Sequence, residues 1–159
     1  MTDAQQPQRA FFLQRIYLKD VSFESPRAPS IFQLADWQPN INVQVGNATQ
    51  KLADDVYEVT LTITATATQT IEGKDETAFL AEVAQAGIFT VAGFDGAEFG
   101  HILGSVCPTQ LFPFVRETVA DLVSKGGFPP LLLQPINFDA LYLQHLQQRE
   151  AQAAQPLTH

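Results

Sequence analysis

DDVYEVTLTITATAT, residues 54–68, alternates without interruption: Tyr57, Val59, Leu61, Ile63, Ala65 and Ala67 on one side, Glu58, Thr60, Thr62, Thr64, Thr66 and Thr68 on the other. Period two sustained over β-branched residues predicts a strand with one covered and one wet face. Its apolar row needs helices or a partner over it, while its threonine row stays open to docking. Working outward, residues 40–45 (NINVQV) alternate Ile41, Val43 and Val45 with polar residues and predict a short strand turning at Gly46-Asn47. On the other side, QTIEGKDE is a polar hairpin connection, and residues 77–85 form a last strand. There Phe79, Ala81 and Val83 are expected inward, with Ala78, Leu80, Glu82 and Ala84 outward.

A fourth strand is expected at residues 11–24. Strict alternation groups Phe11, Leu13, Tyr17, Val21 and Phe23 with Arg15 and Lys19, leaving Gln14, Ile16, Leu18, Asp20, Ser22 and Glu24 opposite. SPRAPSIFQLADWQP follows, with Pro26, Pro29 and Pro39 and no period, so it reads as a long crossover that nevertheless carries Ile31, Phe32, Leu34 and Trp37. Three hairpin-linked strands and one reached by a crossover predict a Greek key with the first strand beside the last. From Gly96 the period becomes helical. Gly96, Gly100 and Gly104 leave one helix face bare for close approach, with Pro108 and Pro113 expected to interrupt that helix. It resumes toward Lys125 with Val115, Val119, Leu122 and Val123 on one stripe, and Gly126 stops it. After the extended FPPLLLQP, Asn137 is expected to cap a final helix through Arg149, apolar over a wide arc. Residues 1–10 and 150–159 read as disordered ends of a single α+β domain spanning 11–149: a four-stranded antiparallel Greek-key sheet with two main helices on one face.

Composition narrows function. Of 159 residues, 45% are hydrophobic, enough for a core, while the net charge of −8 and pI near 4.6 exclude a basic stripe for nucleic acid and favour a basic partner. Twelve Phe against three Tyr and one Met suggest that some rings are displayed. The single Cys107 forbids an intrachain disulfide and suits a reducing compartment. No apolar run approaches a membrane span, so the expectation is a soluble, cytoplasmic protein. His101, His145 and His159 are too dispersed for a metal site. Gly93-Phe94-Asp95-Gly96 mimics a phosphate clamp but holds an acid. Cys107 with His101 is the one candidate nucleophile pair, set in an apolar, glycine-rich helix where thiols are commonly inert.

Two surfaces remain. If the first and last strands are neighbours, Asp20, Glu24 and Glu82 share the wet face with Leu80, forming either a solvated sheet face or a docking site. Phe32, Leu34, Trp37, Leu131, Leu132 and the arc around Tyr142 form an apolar set, which either folds over the core or remains displayed. A displayed strip of several hundred Å², at about 25 cal/mol per Å², would support weak, sequence-tolerant capture of unfolded chains.

QRIYLKDVSFESP, PSIFQLADWQP, LADDVYEV, ETAFLAEVAQAGIF, CPTQLFPFVRE and GGFPPLLLQPINFDALY together resemble the SecB family of bacterial export chaperones, in register from about residue 11 to 148. The resemblance implies a cofactor-free, ATP-independent holdase, assembled as a homotetramer (a dimer of dimers), that keeps preproteins unfolded. It hands them to the motor ATPase SecA, whose basic, zinc-containing tail docks on the sheet. By position it assigns Asp20, Glu24, Leu80 and Glu82 to SecA. A client groove takes Phe32, Leu34, Trp37, Ile41, Val43, Val45, Leu141, Tyr142 and Leu146, and an oligomer interface takes Gly96, Gly100, Gly104 and Cys107. QTIEGKDE looks longer than in relatives, and the C-terminal tail lacks their acidic character. A small Cys107-dependent hydrolase and a SecB-like chaperone dedicated to an antitoxin are the rival readings.

Overall fold

The computed structural model describes residues 8–154. Four strands, β1 (Ala10–Glu24), β2 (Asn40–Ala53), β3 (Val56–Ile71) and β4 (Lys74–Ala92), pair antiparallel in the order β1-β4-β3-β2. This is the expected Greek key, but its hairpins are longer and their tips tighter. Gly46-Asn47 lies inside β2 rather than at its end, and the chain reverses at Asp54-Asp55, where Asp55 takes a positive φ of 62°. Of QTIEGKDE only Glu72 and Gly73 form the turn, with φ of 50° and 80°. Two residues at positive φ match the twist of a tight hairpin, so the flanking polar residues continue the ladder.

The alternation of β3 holds: Val59, Leu61, Ile63, Ala65 and Ala67 are fully buried. On β4, Phe79, Ala81 and Val83 face the core as expected, but Ala78 is buried too. A register shift after Ala67 leaves Ala78 outside the one-to-one pairing, where its carbonyl accepts a bond from Ser25 Oγ at 3.0 Å. β1 departs further. Register shifts fall at Gln14 and Lys19. Each reverses the side-chain parity, so Arg15, Tyr17 and Lys19 join the outer face, while Ile16 and Leu18 turn to the helix side. Two reversals cancel, and Asp20, Ser22 and Glu24 remain outward as expected.

Helical residues run from Gly96 to Lys125 in three pieces: α1 (Gly96–His101), a π-helical turn (Ile102–Val106) and α2 (Cys107–Lys125). The prolines do not break it. Pro108 lies in the first turn of α2, directly after the wider π turn, where its missing N–H matters least. Pro113 sits in mid-helix with its side chain in solvent, and buried Phe112 and Val115 hold the helix to the sheet on either side of it. Leu111, Val115, Val119 and Val123 of α2 are fully buried over β3 and β4. Asn137 caps α3 (Phe138–Ala154), its Oδ1 accepting from the Ala140 amide at 3.0 Å. The helix runs on through residues 150–154, expected to be unstructured. Residues 8–10 are also tied down, with Arg9 bonded to Glu98 at 3.0 Å and placed 5.2 Å over the Phe94 ring. Residues 1–7 and 155–159, the rest of the expected disordered ends, lie outside the described residues.

Candidate functional site: an apolar groove and an acidic sheet face

The helical layer is narrower than the sheet. Ile41, Val43 and Val45 of β2 pair with Ala67, Ala65 and Ile63 of β3, so they share the core face. The β3 residues are fully buried, whereas Ile41, Val43 and Val45 remain 39, 38 and 37% exposed. Residues two apart on a strand project to the same face about 6.8 Å apart, so the three form a bare apolar strip on the order of 14 Å long.

Val45, at one end of the strip, lines a hollow, and the crossover loop that precedes Ile41 in the chain holds a second. Toward the crossover loop, a cavity of about 150 Å³ is lined by Ile31, Phe32, Leu34, Trp37, Phe128 and neighbouring residues. The loop closes into a 3-10 turn at Ser30–Gln33, whose buried Ile31 anchors it. Gln69 of β3 ties it to the sheet, accepting from the Gln38 amide at 3.1 Å and donating to the Asp36 carbonyl at 3.3 Å. Phe128 meets Phe32, Trp37 and Phe79 at ring separations of 5.1–5.2 Å. Phe32 is nevertheless 48% exposed and Trp37 half-buried, so this cluster rests on the core without being sealed in it.

At the other end, a cavity of about 760 Å³ lies between β2, the glycine-rich helix and α3, lined by Val45, Leu103, Leu141, Tyr142, Leu146 and polar neighbours. Ile41 and Val43 line neither hollow and stay exposed on the same face as Val45. Leu132 is 61% exposed but outside both, and Leu131 packs on the core. The polar lining includes Asn47, read in the sequence as a turn residue, His145, weighed there only as a metal ligand, and Arg149. Asn47 donates to the Leu103 carbonyl at 3.2 Å, fastening β2 to the π turn.

The bare helix face is filled from within the chain. A Cβ on Gly100 would lie 2.6 Å from Tyr142 Oη, and one on Gly104 2.5 Å from Tyr142 Cδ2. Gly96 meets nothing; its φ of +58° at the helix start is what calls for glycine there. Cys107 is fully buried in the protomer core, so the expectation that it faces another copy is corrected: it has no surface to present. Burial also pushes its thiol up to about 12, and the His101 imidazole is taken by Asp139 at 2.7 Å. A thiolate nucleophile is not supported there.

On the opposite face the acidic row assembles. Glu24 pairs with Leu80, Ser22 with Glu82 and Asp20 with Ala84, so all four expected residues lie side by side on outer β1 and β4. Asp20 and Glu24 are exposed, and Glu82 accepts from Thr64 Oγ1 at 3.1 Å. The same face carries an unforeseen cluster, brought there by the bulges of β1. Glu58 accepts from Lys19 at 2.8 Å and from the Tyr17 hydroxyl. Those bonds, Lys19 first, hold the Glu58 carboxyl below its usual range. Burial, then the bond to Glu58, raises the Tyr17 phenol to about 12. One end of the face thus pairs its carboxylate with Lys19, while Asp20, Glu24 and Glu82 form no ion pair among the described residues.

Residues 4–149 match the family model described as "Preprotein translocase subunit SecB". The chain belongs to the SecB family. Similar relatives are the protein-export proteins SecB of Methylococcus capsulatus, 51% identical over 97% of this chain and 96% of that one, and of Nitrosococcus oceani, 52% identical over 99% and 94%. That of Alcanivorax borkumensis is 53% identical over 95% of each. Their similarity establishes a protein-export chaperone rather than an enzyme. Among solved structures, a SecB-like chaperone of Mycobacterium tuberculosis in complex with an antitoxin peptide aligns over 79% of this chain and 90% of that one, with a TM-score of 0.64. At 19% identity, that likeness carries the fold alone. Among the described residues no helix is long and apolar enough to cross a membrane, and no group of three His, Cys, Asp or Glu could hold a metal ion.

Proposed function

We propose that this SecB chain holds unfolded preproteins along the groove from Phe32, Leu34 and Trp37, over Ile41, Val43 and Val45, to Leu141, Tyr142 and Leu146. The observation that carries this reading is the bare β2 strip: apolar side chains on the core face of a sheet, left uncovered and running at Val45 into the larger hollow. Extended client segments lay apolar side chains on it while their backbone polar groups stay hydrated or pair with the free β2 edge. Contacts of this kind are individually weak, and several grooves on one particle multiply them.

The outer face serves the handover. Asp20, Glu24 and Glu82 present negative charge around Leu80, which suits the basic tail of SecA, so docking and client capture occupy opposite faces. Release then follows SecA binding in the cytoplasm, with no cofactor on this chain. Assembly into a dimer of dimers is favoured by the second bare margin, where Leu18 and Val21 of β1 are 48 and 38% exposed on the helix side. The antitoxin-dedicated alternative is the weaker reading, because identity of 51–53% lies with export proteins and 19% with the antitoxin-bound chaperone.

The test separates the faces. Trp37→Ala with Tyr142→Ala should weaken capture of an unfolded precursor at least tenfold, and unchanged capture contradicts the groove. Reversing Asp20 and Glu24 to Lys should abolish SecA binding and spare clients. Equal loss of both would place the two functions on one surface.

A further inference from the structure

Little holds α3 in place, yet it is the outer wall of the larger cavity. Only Phe138 of the helix is buried, while Leu141 and Leu143 are 39 and 58% exposed. Its packing is chiefly against the π-helical turn, with no comparable contact to the sheet. Beyond Phe138, which meets Phe112 edge-on at 5.9 Å, the contacts that place this wall gather at one point. The Ser105 hydroxyl, itself buried, donates to Asp139 Oδ1 in the first turn of α3. His101 Nε2 lies 2.7 Å from the same oxygen. The Ser105 bond, then His101, holds the Asp139 carboxyl below its ordinary range. One turn on, Tyr142 lies across Gly100 and Gly104 and edge-on to His101, ring centroids 5.9 Å apart. Residues three apart share a helix face, so the carboxylate and the ring dock together.

We infer that Ser105 and Asp139 are positioning residues for client binding: their bond latches α3 to the π turn and fixes the width of the cavity between α3 and β2. The inference rests on the reading of that cavity as part of the client site. If α3 swings out, the bonds from Ser105 and His101 to Asp139 are exchanged for bonds to water, and the net worth of each is lost. The π turn matters because it carries Ser105 and Gly104 together, presenting the hydrogen-bond donor and the gap for the ring from one element. Neither residue is required to touch the client.

Amide hydrogen exchange of the full chain, first without client, tests the latch. In Asp139→Ala, α3 amides should exchange about fivefold faster or more while β3 stays protected, and Asp139→Asn, which keeps an acceptor oxygen, should restore most of the protection. Gly104→Ala should loosen the same amides by displacing Tyr142, with the Ser105 and Asp139 atoms unchanged. Release of a carboxymethylated, permanently unfolded polypeptide should quicken in the same rank order. Unchanged α3 exchange in Asp139→Ala overturns the latch and leaves the client reading standing. Loosened α3 with unchanged or slower release overturns its service to clients. If Val45→Asp then also leaves release unchanged, the cavity reading itself falls.

Discussion

β2 and β3 carry the same kind of alternation on the same face of one sheet, and their fates are opposite. Leu61 and Ile63 are fully buried under α2, while Val43 and Val45, one strand away, remain more than one-third exposed. The difference lies in the width of the helical layer, which covers β3 and β4 and stops short of β2. An apolar row is therefore a core only where something lies over it; otherwise it is a binding surface.

The sharpest way to break that comparison is to truncate the same face on both strands. Leu61→Ala should cost about 2–5 kcal/mol of stability in denaturant unfolding, because it leaves a cavity in a closed core. Val43→Ala should shift stability by under about 1 kcal/mol, since its surroundings are already open, yet weaken client capture. Comparable stability losses would mean that β2 is covered in solution. A second probe uses Cys107, on the covered side. With the thiol pushed up to about 12 by burial, labelling by a thiol reagent at pH 8 should follow unfolding of the chain, and Cys107→Ser should leave client capture unchanged. Rapid labelling of the folded protein would show that the core opens there.

Smaller effects belong to the outer face. Because the folded Glu58 carboxyl lies below its unfolded value, its stabilising contribution is present above about pH 4.3 and lost as pH falls through the folded value. Thermal midpoints of wild type and Glu58→Gln should therefore differ slightly at neutral pH and converge in acid. The Tyr17 phenol, raised to about 12, should remain un-ionised at pH 10–11, so Tyr17→Phe should leave the ultraviolet absorbance change over that range unaltered.

Much of the fold could be read from local pattern. The strict alternation of residues 57–67 placed β3, and the proline-rich crossover set β1 beside β4. Turn positions were less legible, because Gly46-Asn47 has turn chemistry yet pairs within β2, whereas Asp54-Asp55 supplies the reversal. Bulges leave no periodic trace at all. Gln14 and Lys19 each shift the register, which misassigned Tyr17 and Ile16, and only their cancellation kept Asp20 and Glu24 on the expected face. The acidic row was therefore recoverable from spacing, but the Tyr17–Glu58–Lys19 cluster was not. The glycine spacing signalled close approach correctly but could not say to what: the visitor is Tyr142 of the same chain. Cys107 misled because it follows the glycine series by three residues, while its side chain is fully buried in the core.

Methyl resonances of Ile41, Val43 and Val45, followed as an unfolded precursor is added, address the bare strip most directly. Binding there should broaden or shift those three signals and leave the buried methyls of Val59, Leu61 and Ile63 in place. Precursor bound to the protein with the β2 methyls unmoved would contradict the account.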